Sequence, residues 1–437
     1  MSVQRRLLVV SDSDSYTKWG AALASTLPPS WEADLVVVGS TVLPSDRQLR
    51  VALAGTRWQT DVPRSAHLDE LAPLVGDLRP DAVLLALRGP LVRVIAPMLQ
   101  VLPDRPVLVS GFPGLTIPAV PKAVVYREQT DLVVLHSRRE VREFAALAED
   151  LPAAPAFGLA TLPFLAARAA GSAVVDGAGG EARDPEASDV VFAVQAKVPA
   201  TREERVALVG MLAAAARRQP RKRFVVKVRA RKGEAQTHDE QFDLADLIAD
   251  PAVTRELGAT MPANLVVADG PMAEHLAQAE ALVTVSSTAV LEAIAAGVPA
   301  LLLDEFGVGA PQLNLVFEGS GLFGDAEALA AGDWRVPDAD WLADNYFHER
   351  GADDWLAGLE ALVASRDATP LPALPRHHNL AGGALRRAFE RRRMLGAHDR
   401  SLLGTVSVLV AVPSRAALRA ARKARRRLRG EASAIAA

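Results

Sequence analysis

The sequence predicts an α/β protein made of two doubly wound domains, each built on a parallel sheet. Three observations carry that expectation. Short continuous runs of aliphatic and β-branched residues, such as Leu7-Leu8-Val9-Val10, alternate with helical patterns along most of the chain. Strands buried on both faces read this way, because helices cover both sides of their sheet. The alternation runs twice, broken once by residues 171–188, a small, polar, glycine-rich stretch of linker composition. Finally, 437 residues, half of them hydrophobic and 23% charged, suffice for two or three packed cores and exclude a disordered chain.

Taken in order, strands are expected at 6–11, 35–39, 82–87, 106–110 and 132–136, with helices at 16–27 and 137–147. After the linker, strands are expected at 190–194, 224–228, 264–267, 281–285 and 299–303. Helices are expected at 202–218, 272–279 and 288–296. The division is an N-terminal domain at 1–170, a linker at 171–188, a C-terminal domain at 189–366 and a basic helical tail at 367–437. Ligands of open α/β sheets sit beyond the carboxyl ends of the strands, so the site is expected in the cleft between the domains. The apolar run after Arg5-Arg6 stops at Ser11-Asp12, too soon for a signal peptide, and so reads as a strand. The late apolar stretch 402–412 is too short to span a bilayer. A cytoplasmic protein is expected.

Composition narrows the chemistry. The chain has no cysteine, which excludes disulfides, thiol catalysis and cysteine-ligated metals. Aromatic residues make up 5%, which argues against stacking many bases, and no specific nucleic-acid partner is expected. The net charge of −3 hides an asymmetry. Between Arg386 and Arg429 fourteen Arg and Lys face only Glu390 and Asp399, so this segment is +12 and the rest of the chain −15.

The most specific stretch runs from Ala281 to Ala300. A buried strand ends in Ser286-Ser287-Thr288, a helix follows with Glu292 one turn inside, and Gly297-Val298-Pro299 leads to the next strand. Hydroxyls and free backbone N–H groups at a helix start suit phosphate, although the same serines serve equally as ordinary caps. Asp269-Gly270-Pro271 forms a turn after the preceding strand. A second block places Lys227 and Arg229 on one face of a strand and continues through Arg231 to His238. Cations at a strand end can clamp a diphosphate or offset the charge of a departing nucleotide; the competing reading is a solvated basic loop.

In the first half, Asp12 and Asp14 follow the first strand. Either is a candidate base for an acceptor hydroxyl, and either could instead cap the next helix. Gly111 and Phe112, after another strand, and His136 and Ser137, after a third, are further cleft candidates; the last pair also reads as a helix cap. Gly319-x-Gly321-x-x-Gly324 matches a dinucleotide fingerprint in letters only, since no strand precedes it.

The 281–300 block resembles the donor-nucleotide signature of GT-B glycosyltransferases, and the Lys227–His238 wording is similar to an actinobacterial family described as glycosyltransferases. The likeness covers residues 1–330, and is strongest over 264–303. It implies a GT-B fold without cofactor or metal. Ser286, Ser287 and Thr288 would lie at the phosphate, Glu292 at the ribose, and Asp269, Gly270 and Pro271 near the base. More distant relatives, polysialyltransferases, capsule Kdo transferases and CDP-glycerol transferases, often carry a His-Pro pair where this chain has none, with Arg229, Arg231 and His238 in its vicinity. The reading is a glycosyltransferase using a nucleotide sugar, with a CMP-ulosonic acid as preferred donor and a glycan or lipid-linked envelope acceptor. The alternatives are a UDP-sugar 2-epimerase on the same scaffold and a non-catalytic, membrane-recruited nucleotide-binding protein. The tail, basic from 386 to 429 around an apolar stretch, is expected to lie on the anionic inner face of the cell membrane; a merely solvated tail is the competing reading.

Overall fold

The computed structural model describes residues 4–61, 63–163, 165, 189–228, 240–377 and 383–409. The first sheet has seven strands, β1 (Arg5–Ser11), β2 (Trp31–Val38), β3 (Arg64–Ala66), β4 (Ala82–Ala86), β5 (Val107–Gly111), β6 (Leu132–Leu135) and β7 (Ala156–Leu159), in the spatial order β3-β2-β1-β4-β5-β6-β7. The second has six, β8 (Asp189–Ala193), β9 (Arg223–Lys227), β10 (Leu265–Ala268), β11 (Ala279–Thr284), β12 (Ala300–Leu303) and β13 (Phe323–Gly324), in the order β10-β9-β8-β11-β12-β13. All strand pairs in both sheets are parallel. Each order reverses once, between β1 and β4 and between β8 and β11. Chains leaving the two strands at such a point turn to opposite faces and open a crevice at the carboxyl ends.

The aliphatic runs form strands because both faces are buried. Leu7 and Val9 point into the core under helix Asp14–Ser25, while Leu8 and Val10 point into a second core with helices Leu68–Leu78 and Gly89–Gln100. The first of these cores continues through Val191, Val225 and Leu282, so one apolar cluster joins the two domains. The expected strands and helices are present, with ends shifted by a few residues. Helices Leu68–Leu78 and Gly89–Gln100 escaped notice because Pro73 and Pro97 interrupt their pattern. Gly319 and Gly321, both with positive φ, make a turn before β13 and not a nucleotide loop.

From Trp355 on, the chain departs from the expected division. Helix Trp355–Ala368 packs on β5, β6 and β7 of the first sheet, burying Trp355, Leu359 and Val363. The Asp354 carboxylate accepts a bond from Leu159 N at 2.6 Å, and the Asp353 carboxylate one from Thr161 N at 2.8 Å. The next segment stays with the same domain: buried Arg105, paired with both oxygens of Asp131, also donates to the Pro372 carbonyl. Helix Gly383–Leu395 docks against helix Gly89–Gln100, with Leu395 in the first sheet's core and the Met394 carbonyl accepting from Thr41 N. The described part of the tail is therefore a folded part of the N-terminal domain. Among the described residues, no helix is long and apolar enough to cross a membrane.

The crossing helix depends on close approach at β7. A Cβ added at Gly158 would lie 2.8 Å from the Trp355 Cα, a backbone atom that cannot swing away. Gly158→Ala should lower the unfolding free energy by about 1–3 kcal/mol, read as a drop in melting temperature. An unchanged melting temperature would mean that the helix is not clamped there.

Candidate functional site

A cleft of about 770 Å³ lies between the carboxyl ends of the two sheets. The first domain supplies Asp14 to Tyr16 after β1, Arg88 to Pro90 after β4, Phe112 to Ile117 after β5, and Arg47 of helix Asp46–Leu53. The second supplies Ala193 to Lys197 after β8, Lys227 at the end of β9, Asp269 to Pro271 after β10, and Ser286 to Ala289 after β11. Both points of strand-order reversal thus open on the same space.

On the second domain's side Lys227, Asp269, Gly270, Pro271, Ser286, Ser287, Thr288 and Glu292 come together along the cleft. Their hydroxyls divide the work. Ser286 Oγ donates to the Leu313 carbonyl at 2.6 Å and holds a wall loop, while Ser287 Oγ accepts from Ala289 N at 3.2 Å as a helix cap. The Thr288 side chain makes no capping bond. Gly270 has φ +110°, which a side chain would strain, and the turn is closed by a 2.9 Å contact between His275 Nε2 and the Asp269 carbonyl. Glu292 meets Lys18 of the first domain at 3.6 Å, and Gly114 approaches Thr288, so the two walls touch. Arg229, Arg231 and His238 lie outside the described residues.

The first-domain candidates separate into residues in the cleft and residues beneath it. Asp12 is fully buried; its carboxylate accepts from Arg88 Nε at 2.7 Å and from Arg88 N at 3.2 Å. Burial pushes its carboxyl above the ordinary range, against the pull of Arg88. It presents Arg88, which also bonds Ser40, to the cleft. Asp14, two residues on, lines the cleft itself.

His136, expected at the cleft, is sealed below it. Its Nε2 accepts from Trp19 Nε1 at 2.7 Å, which leaves Nδ1–H to donate to the Ala160 carbonyl at 2.8 Å. Burial lowers its pKa to about 4, so the ring is neutral and positions Trp19, a cleft residue. Ser137 is buried too and caps helix Arg138–Glu149 through Glu140 N. Gly111 lies under Trp19, since a Cβ there would sit 2.5 Å from the indole. Phe112 does line the cleft, with the Arg127 guanidinium 3.9 Å over its ring.

Buried charges hold the cleft loops. Arg127 donates to Ser110 Oγ, the Gly111 carbonyl and Tyr16 OH. Glu140 accepts from Thr116 Oγ1 and Tyr346 OH, each at 2.6 Å, and from His136 N; burial raises its pKa while these donors oppose the rise. Arg205 spans the loop after β8, donating to the carbonyls of Gln195, Ala196, Pro199 and Phe242 and pairing with Glu240. Sequence reasoning missed Lys18, Trp19, Arg47, Arg88 and Lys197 in the cleft. The signal for Arg88 and Lys197 was available, because each lies two to four residues past the end of a buried strand. Lys18, Arg47, Arg88, Lys197 and Lys227 against Asp14, Asp269 and Glu292 make the lining net cationic inside an acidic body, which suits an anionic ligand.

The profile of the family described as "Putative glycosyltransferase (DUF6716)" matches residues 7–362. Among solved structures, the chain is similar to Staphylococcus aureus MnaA in complex with UDP (12% identity, 82% of this chain and 95% of that one, TM-score 0.51). Others include UDP-GlcNAc 2-epimerase from Methanocaldococcus jannaschii (10%, 83% and 99%, 0.48) and Arabidopsis thaliana UGT89C1 (13%, 83% and 99%, 0.44). The likeness to MnaA shows the fold: GT-B, two Rossmann-like domains facing a cleft. A search of curated proteins finds no match.

The buried imidazole carries a pH signature. Between pH 6.5 and about 4 the unfolded chain takes up a proton that folded His136 refuses, so stability falls as pH drops through this window. Wild type should lose about 2–3 kcal/mol more than His136→Gln between pH 7 and pH 4.5 in urea unfolding. Parallel curves for the two proteins would show that His136 is not held neutral.

Proposed function

The chain belongs to the DUF6716 family, and from that premise we propose that it is a metal-independent glycosyltransferase that binds a nucleotide sugar in the second domain and its acceptor against the first. The observation that supports this most is the meeting of two reversal points in one cation-lined cleft. The nucleotide phosphate sits at Ser287, Thr288 and Lys227, with Glu292 toward the ribose and Asp269 to Pro271 toward the base.

The acceptor oxygen bonds to the anomeric carbon while Asp14 takes its proton. The bond from that carbon to the phosphate oxygen breaks, and the nucleotide leaves with the electron pair. Lys227 and Arg88 offset the charge that develops, in a cleft where such interactions are stronger than in bulk water. Asp14 is the base in this reading because it reaches the cleft, whereas Asp12 is occupied below it by Arg88. The preferred donor is a CMP-activated ulosonic acid, and the acceptor an envelope or lipid-linked glycan.

Thermal-shift titration with CMP, CDP, UDP and GDP tests the binding half. A nucleotide at a hundred times its Kd stabilises by about 2.7 kcal/mol, and CMP should give the largest shift. A UDP or GDP preference overturns the donor, and no shift with any nucleotide overturns the enzyme reading. Lys227→Ala should weaken the nucleotide about tenfold. Asp14→Asn should cut turnover by about 10²–10⁴ with nucleotide binding kept; unchanged turnover removes Asp14 as the base.

A further inference from the structure

Leu313 stands in the cleft in a conformation that costs free energy. It follows the short 3₁₀ turn Ala310–Gln312 with φ +57° and ψ +25°, the left-handed region that bulky L-residues avoid. It lines the cleft and is 46% exposed. Three other non-glycine residues have positive φ among those described: Arg79, Asp104 and Tyr346. Packing offsets the strain at Tyr346, which is buried and donates its hydroxyl to Glu140 at 2.6 Å. Arg79 and Asp104 are polar residues in exposed turns. Leu313 alone of the four leaves an aliphatic side chain half in solvent.

The surrounding loop enforces that conformation. Ser286, buried after β11, donates Oγ to the Leu313 carbonyl at 2.6 Å, and Leu313 N donates to the Ala310 carbonyl at 3.2 Å. The next residue, Asn314, is fully buried; it accepts from Gly309 N at 2.9 Å and donates to the Gly307 carbonyl at 3.1 Å. A turn that needed only this backbone path would take glycine, as the chain does at Gly307, Gly319 and Gly321. Here buried polar groups hold a strained leucine in an open cleft, and strain of that kind gathers at ligand contacts.

We infer that Leu313 is a specificity-determining residue that packs on the apolar C–H face of the sugar carried by the donor. The inference rests on the glycosyltransferase reading above. In that reading the phosphate sits at Ser287 and Thr288, directly after the serine whose hydroxyl holds the Leu313 backbone. The group next to that phosphate, on the side away from the ribose at Glu292, is the transferred sugar. A sugar ring carries hydroxyls at its edge and C–H bonds on its face. A branched aliphatic side chain recognises the face, while polar groups recognise the edge. Contact with the ring takes Leu313 out of water.

Dissociation constants of the full-length protein are measured by calorimetry for three pairs: CMP and CMP-N-acetylneuraminate, UDP and UDP-N-acetylglucosamine, GDP and GDP-mannose. For the pair that binds, Leu313→Gly should weaken the sugar nucleotide about fivefold and the bare nucleotide less than about twofold. Its melting temperature should not fall, because glycine accepts this φ and the leucine is half-exposed. Leu313→Met, still apolar, should keep the sugar nucleotide within about twofold. Val308→Ser, at a residue 44% exposed on the same loop but outside the cleft lining, should change neither. Equal weakening of both members of the pair, or no weakening of the sugar nucleotide, overturns the inference and leaves the nucleotide site standing. A fall in melting temperature also overturns it, since the leucine would then be held by packing. Failure of every nucleotide to bind overturns the glycosyltransferase reading and the inference with it.

Discussion

Everything in the site follows from strand order reversing in two parallel sheets whose carboxyl ends face each other. At β1/β4 and at β8/β11 the chain must leave a dry strand and turn to opposite faces. The turns cannot fill the crevice they create, so it remains as a cleft. They also cannot satisfy their own backbone groups there by regular pairing. Unpaired N–H and C=O groups beside a core cost free energy comparable to lost hydrogen bonds.

Buried ionic groups meet that demand, one under nearly every wall. Arg205 takes the carbonyls after β8, Arg127 those after β5, Glu140 the N–H groups near Thr116 and His136, and Asp12 the backbone and side chain of Arg88. Such groups are stable in low dielectric only when fully bonded, and these are. The result is a braced rim on which half-buried cleft residues, Asp14, Lys227, Ser287 and Thr288, are presented. Pre-positioned charge of this kind is what stabilising a departing nucleotide requires.

This explains which parts were legible in the sequence. Strands declared themselves because burial on both faces demands unbroken apolar runs, and the cleft-lining block from Asp269 to Glu292 declared itself by small, hydroxyl and glycine residues at strand ends. The same rule misled at Asp12, His136 and Ser137. A polar residue at a strand end reads identically whether it faces the cleft or braces it from below, and only the neighbours decide: Arg88, Trp19 and Glu140 are 76, 117 and 3 residues away. The segment from Trp355 on was opaque for a related reason. Its many arginines read as a membrane-surface anchor or, in the competing reading, a solvated tail, yet Phe389 and Leu395 between them bury into the first domain, and Asp399 receives Arg391 and Arg392.

The central claim is that a nucleotide binds at the second domain's reversal point, with Lys227 and the Ser287–Thr288 turn around its phosphate. Hydrogen exchange with and without saturating nucleotide tests it most directly. The account predicts slowed exchange in the segments around Asp269 to His275 and Ser286 to Ala296, and unchanged exchange in buried β1. Protection confined to the first domain, or no protection in either segment, would contradict it.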